Sequence, residues 1–193
     1  MKQNKNQNLE KIYFSEMDEL IKIISILLKD LKRIIDQSNK KVAELEQKSE
    51  GVFLDEQGTW FRQANRITIS TVEAICFKMK QITLLLFDHS NKTLSQKERE
   101  KLSERKLNGT PFYLKTKDNV KFSFKMFAKV LGIPFEIKYN KDWANFLKVI
   151  NKRNNLTHPK SENDLKMSVK EHRNTANAFY WFGNLINQFK TVQ

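Results

Sequence analysis

Apolar residues recur at intervals of three and four along most of this chain, and strand-like alternation is confined to one short piece. Between Leu9 and Ile35, Met17, Leu20, Ile24, Leu27, Leu31 and Ile34 share one side of a helix while Lys and Glu fill the others; this predicts a long amphipathic helix. The polar run Asp36-Gln37-Ser38-Asn39 either interrupts it or is carried through Val42 and Leu45 to a stop at Gly51. Residues 51–58 read as a connector. A second helix is expected from Trp60 to about Phe87, N-capped by Thr59, with Ala64, Ile67, Thr71, Ile75 and Ile82 or Leu85 facing in. Ser95-Gln96-Lys97-Glu98 matches a capping box and predicts a short charged helix reaching Asn108-Gly109. A loop with Pro111, Phe112 and Tyr113 leads to a helix from Val120 to Leu131, closed by Gly132. Phe135 to Tyr139 is the extended piece, too little for a sheet. The polar connector Ser161 to Met167 precedes a second capping box, Ser168-Val169-Lys170-Glu171. That box opens a last helix whose wide apolar face carries Ala176, Phe179, Phe182, Ile186 and Phe189, with Tyr180 and Trp181 beside them. Such a face is usually core, and part of it suits a subunit interface.

The expected fold is therefore all-α: a bundle of about five to seven helices with a long N-terminal helix. Five Gly and three Pro in 193 residues agree, because many-turned β structure needs more of both. Residues 1–8 read as a disordered polar lead and 9–190 as a single domain, long enough for a real core. No apolar run approaches the ~20 residues that span a bilayer. The start of the chain, MKQNKNQNLEK, lacks the apolar centre of a secretory signal. The lone cysteine, Cys76, lies in an apolar helical stretch and reads as a core residue rather than a nucleophile. A reducing cytoplasm is the expected location, with no membrane partner.

Charge sharpens the picture. The formal net charge is +13, and from Lys106 to Lys160 twelve basic residues face three acidic ones. A polyanion is the economical partner for such a segment. Lys117, Lys121, Lys125 and Lys129 repeat every four residues as a ridge, whose like charges cost a helix a few tenths of a kcal/mol per pair. A solvated face and a phosphate-binding face are both consistent with it. Arg62, Arg66 and Glu73 lie near one side of the second helix, read first as a salt-bridge network and second as part of a cleft. His89 in its loop and His172 in the first turn of the last helix read as exposed and incidental.

The most informative stretch is Asp142 to Lys160, DWANFLKVINKRNNLTHPK. Trp143, Phe146, Leu147 and Ile150 line one helix face; Arg153, Asn154 and Thr157 continue it with polar groups, which are costly to bury without partners. Pro159 pushes His158 out of helical backbone. On an unbroken helix Arg153 and His158 would stand about 140° apart, so the break is what permits them to converge.

Arg153-Asn154-Asn155-Leu156-Thr157-His158 resembles the R-x4-H signature of the HEPN superfamily, including a polar residue after the Arg. The resemblance implies an all-helical, usually dimeric protein and a metal-independent endoribonuclease of the toxin or antiviral kind, its cleft formed where two motif copies meet across a twofold axis. Arg153 and His158 would carry the chemistry, Asn154 would orient the His or the phosphate, and Lys152 and Lys160 would add phosphate contacts. Some toxin members carry a Tyr two residues after the His, the target of a partner nucleotidyltransferase antitoxin. Position 160 is Lys, so that regulation is not implied.

An Arg and a His in a basic cleft suit RNA cleavage. Imidazole titrates near neutrality and can take the 2′-hydroxyl proton or protonate the leaving 5′-oxygen, while guanidinium forks onto the phosphate. The sequence offers no H-E-x-x-H, paired Cys, P-loop or G-x-G-x-x-G, and no cofactor is expected. The competing reading is that Arg153 and His158 merely cap carbonyls at their own helix end. Two further alternatives are a non-catalytic nucleic-acid-binding module using the lysine ridge, and an interaction subunit with an antitoxin or defence-complex partner.

Overall fold

The computed structural model describes residues 2–46, 52–53, 56–90 and 92–189, with side chains described from 15 onward except 17, 41, 44–57 and 91. The chain is all-α. In order come α1 (Lys2–Glu46), β1 (Val52–Phe53), α2 (Glu56–Asp88), α3 (Gln96–Ser103), α4 (Thr116–Leu131), α5 (Lys141–Thr157), α6 (Glu162–Leu165), β2 (Met167–Ser168) and α7 (Val169–Asn187). The two-residue strands pair antiparallel, Val52 with Ser168 and Phe53 with Met167. The chain packs as two compact units. Met1–Ile26 with Glu73–Glu136 forms the first, and Leu27–Val72 with Ile137–Gln193 the second. Helices α1 and α2 contribute a segment to each.

Helix α1 takes in residues 2–8 and passes through Asp36-Gln37-Ser38-Asn39 without a break. Ser38 is tolerated because its buried hydroxyl donates back to the Ile34 carbonyl at 2.8 Å. The buried positions Leu20, Leu31, Ile35, Ser38 and Val42 follow the predicted spacing, with Ile35 more enclosed than Ile34. Met17 and Leu45 lie outside the described side chains. Helix α2 begins before Thr59, which is therefore not its N-cap; its hydroxyl instead accepts from Arg62 Nη2 at 2.8 Å.

In the first unit, Phe87, Leu102 and Met126 form a core with Leu94, Phe122 and Val130 around it. Helix α3 is capped by Ser95 as expected but ends at Ser103, five residues early. Glu104 there adopts a left-handed φ of 55° and its carboxylate bonds Lys80, whose side chain is fully buried. Helix α4 starts four residues before the expected Val120, and Gly132 closes it at φ 74°. Burial pushes the Cys76 thiol up to about 12, which leaves it an inert core residue.

In the second unit, one cluster joins Val42, Phe61, Leu156 and Met167, and another joins Leu31, Ile35, Ala176 and Phe179. Trp181 packs edge-on against Trp143 and tilted on Phe146, at centroid distances of 5.6 and 4.8 Å. Each large side chain buried here contributes about 1.5–3 kcal/mol. Ser168 caps α7 through a complete capping box with Glu171. His172, expected to be exposed, is entirely buried: its ring stacks on Phe61 at 4.5 Å and Nε2 meets Asn39 Oδ1 at 3.0 Å. The first turn of α7 faces the core on the side where α1 supplies that amide.

Candidate functional site

Helix α5 is fastened at its start, where the Asn140 carboxamide accepts from the backbone of Asp142 and Trp143 at 3.0 and 3.2 Å. Its buried side runs through Trp143, Asn145, Phe146, Val149 and Ile150 to Leu156. This corrects the expectation that Arg153, Asn154 and Thr157 continue the buried face. Asn154 and Thr157 are exposed, Arg153 is half-buried and engaged within the fold, and Leu156 takes the inward position. The Thr157 hydroxyl donates back to the Arg153 carbonyl at 2.8 Å, as helical threonines often do.

The helix stops where Pro159 requires. His158 is its C-cap at φ −127°, ψ 65°, and its N–H donates to the Asn154 carbonyl at 3.0 Å. The imidazole is exposed and bonds no described residue. Asn154 supplies a backbone oxygen to the turn.

Two arginines of α2 hold the segment carrying this turn. Arg66 Nη2 donates to the Leu156 carbonyl at 2.5 Å, one of the oxygens left over at a helix end, and Arg62 Nη1 donates to Leu165 O at 3.3 Å. Carbonyl capping, the competing role for Arg153 and His158, is thus carried at Leu156 by Arg66. Arg66 makes no ion pair with a described residue, and Glu73 belongs to the other unit, where it accepts from the Thr116 hydroxyl at 2.7 Å. The i,i+4 spacing of Arg62 and Arg66 was the visible signal; their carbonyl partners, about a hundred residues away in sequence, left none.

On the far side of Pro159, the Asp164 carboxylate accepts the N–H groups of Lys160 and Ser161 at 2.8 and 3.0 Å. The backbone bond from Lys160 leads the causes that hold this carboxyl below its usual range. His158 accordingly sits on a turn fixed at both ends, by a guanidinium before it and a carboxylate after it. An exposed imidazole on a fixed turn can give or accept a hydrogen bond with a bound group, and Arg153, half-buried and engaged, stands five residues earlier on the same helix.

The lysines divide sharply. Lys152 is drawn into the fold: its Nζ donates to the Lys166 carbonyl and lies 3.1 Å from Glu171 Oε1, tying α5 to α7, which removes it as a ready phosphate contact. Lys160 is exposed and its ammonium bonds no described residue. The α4 ridge belongs to the first unit, whereas the motif belongs to the second. Within the ridge, Lys129 pairs with Glu98 at 2.8 Å, and Lys121 is half-buried and engaged. Lys117 and Lys125 are exposed with no described partner.

Among the described residues no group of three His, Cys, Asp or Glu is placed to hold a metal ion, and no helix is long and apolar enough to cross a membrane. No family model, curated protein or solved structure matches the chain.

Proposed function

We propose that this protein is an HEPN-like endoribonuclease that works without a metal, with Arg153 and His158 as its catalytic pair. One observation carries the reading: His158 is held exposed on a turn braced by Arg66 and Asp164, with its ring committed to no described residue of the chain. A structural histidine would be enclosed by its neighbours, as His172 is by Phe61 and Asn39.

In the proposed reaction the RNA 2′-hydroxyl gives its proton to an imidazole as its oxygen bonds the adjacent phosphorus. The P–O5′ bond then breaks and the leaving oxygen takes a proton, leaving a 2′,3′-cyclic phosphate. Arg153 bears on the non-bridging oxygens as negative charge builds. One chain supplies one such imidazole, so a second copy meeting the first across a twofold axis provides the other. Asn154 and Lys160, both exposed, contact the phosphates flanking the cut. A growth-arresting or antiphage effector in the cytoplasm, restrained by an antitoxin or a defence-complex partner, fits this chemistry.

A non-catalytic nucleic-acid-binding module is the second reading, favoured by the absence of a side-chain bond between Asn154 and His158 to set the ring's tautomer. The two are separated by incubating end-labelled RNA in excess EDTA with wild type, His158→Ala and Arg153→Ala. Cleavage to cyclic phosphate ends by the wild type alone is expected. Intact RNA in all three reactions, with equal binding, overturns the nuclease reading in favour of the second.

A further inference from the structure

The first unit carries a surface feature that the motif does not use. Residues 104–112 form a small hairpin between α3 and α4. Arg105 bridges Pro111 antiparallel, Lys106 N–H donates to the Thr110 carbonyl at 2.8 Å, and Phe112 N–H donates to the Glu104 carbonyl at 2.8 Å. The turn closes through Gly109 N–H to the Lys106 carbonyl at 2.9 Å, with Gly109 at φ 78° in the left-handed position such three-residue turns require. The Asn108 carboxamide oxygen accepts from both the backbone and the hydroxyl of Thr110, at 3.1 and 2.7 Å. At the root, the Glu104 carboxylate is bonded to the buried Lys80. The hairpin is thus formed before anything binds it, which spares a ligand the entropy of ordering a loop.

Its side chains point to what that ligand is. From Arg105 to Lys117 the chain has four cations and no carboxylate. Arg105, Lys106, Lys115 and Lys117 are all exposed, and their side chains bond no described residue. Lys129 and Lys78 in the same unit, by contrast, are paired with glutamates. Tyr113, on the limb that enters α4, is 79% exposed, and Leu107 near the tip is 76% exposed. An aromatic ring held out in water among unpaired cations suits a chain of phosphates carrying free bases, because every base has a face that stacks and every phosphate a charge to meet. A bilayer is the poorer fit. Its apolar anchor would be one leucine and one tyrosine beside the polar Asn108 and Thr110, well short of the apolar face by which proteins lie in an interface.

We propose that this hairpin and the start of α4 bind single-stranded nucleic acid, with Tyr113 stacking on a base and Arg105, Lys106, Lys115 and Lys117 meeting the phosphates. The surface contains none of the motif residues, so its binding does not depend on whether Arg153 and His158 cleave. It also accounts for basic residues that lie outside the Lys121 and Lys129 positions taken up by the fold.

The test is fluorescence anisotropy of a labelled single-stranded oligouridine RNA of about 12 nucleotides, within the span such surfaces cover. The full-length His158→Ala chain serves as the parent, so that the probe survives. Tyr113→Ala is expected to weaken binding roughly tenfold, and Tyr113→Phe to restore it. Replacing the four cations by Ala is expected to lower the log–log salt slope by roughly 0.7 for each phosphate no longer neutralised. Lys29→Ala with Lys170→Ala, two exposed cations of the second unit, should leave both quantities unchanged. Parent-like binding by Tyr113→Ala and by the four-cation variant overturns the proposal. So does equal binding of duplex and single strand. So too does binding of phosphatidylserine vesicles that Leu107→Ala abolishes and the RNA does not displace, which would make this a membrane contact.

Discussion

His158 and His172 stand fourteen residues apart at opposite kinds of helix end, and nearly everything that distinguishes a usable group from a structural one separates them. His158 follows the last turn of α5, where Pro159 turns the chain out and leaves the ring in solvent. His172 is in the first turn of α7, stacked on Phe61 and bonded to Asn39 with no exposure at all. Burial holds its pKa down at about 4, so in the folded chain it is neutral above about that pH. The lesson is that the backbone position of a histidine, and what other elements bring to it, decide its role more than its residue type does.

The sharpest way to break the comparison is to remove each ring. On the proposed reading, His158→Ala lowers the RNA cleavage rate by about 10²–10⁴ while the unfolding midpoint stays within a degree or two. His172→Ala should do the reverse. It deletes a packed, fully buried ring and its bond to Asn39, costing about 3 kcal/mol in urea unfolding, with cleavage per folded molecule retained. If His158→Ala unfolds the chain and His172→Ala does not, the assignment of the two is the wrong way round.

Proton linkage gives a second, smaller contrast. The folded pKa of His172, about 4, lies below its ordinary 6.5, so between these values the unfolded chain binds the extra proton. The stability held by the neutral ring is complete above about pH 6.5. It is lost as pH falls toward 4, at up to roughly 1.4 kcal/mol per pH unit and about 3 kcal/mol in all. His172→Phe should flatten the dependence in that window, measured as the difference from wild type so that carboxylates titrating lower down cancel.

Much of this was legible in the sequence, and the boundary has a physical cause. Local rules placed what depends on neighbours along the chain: the Ser95 and Ser168 capping boxes, the Gly132 stop, and the end of α5 before Pro159. What failed depended on groups distant in sequence. Nothing near His172 announces that Asn39 and Phe61 will enclose it, and nothing near Lys152 announces that Glu171 and the Lys166 carbonyl will claim its ammonium. The helix spacing also erred at Leu156: the apolar face keeps to its own line, so the polar residues near it turn outward. Arg66 is the same kind of case, because its partner is a carbonyl, and every residue has one.

Arg66 also supplies the finest test of why His158 is usable. Its guanidinium satisfies an oxygen that the end of α5 cannot satisfy itself, and this bond fixes the turn from the side opposite Asp164. Arg66→Ala should cost only about 1 kcal/mol, the worth of one exposed cap, since water replaces the donor. Its effect on the proposed reaction should lie mainly in kcat, with KM nearly constant, because a loosened turn lowers the fraction of time the imidazole is aligned without removing a phosphate contact. Arg66→Lys should recover the stability, as any cation near the carbonyl does, but only part of the rate, because an ammonium on a flexible stem holds the turn less firmly than a planar fork. A rise in KM with kcat unchanged would instead make Arg66 a binding residue, and the bracing of His158 would then rest on Asp164 alone.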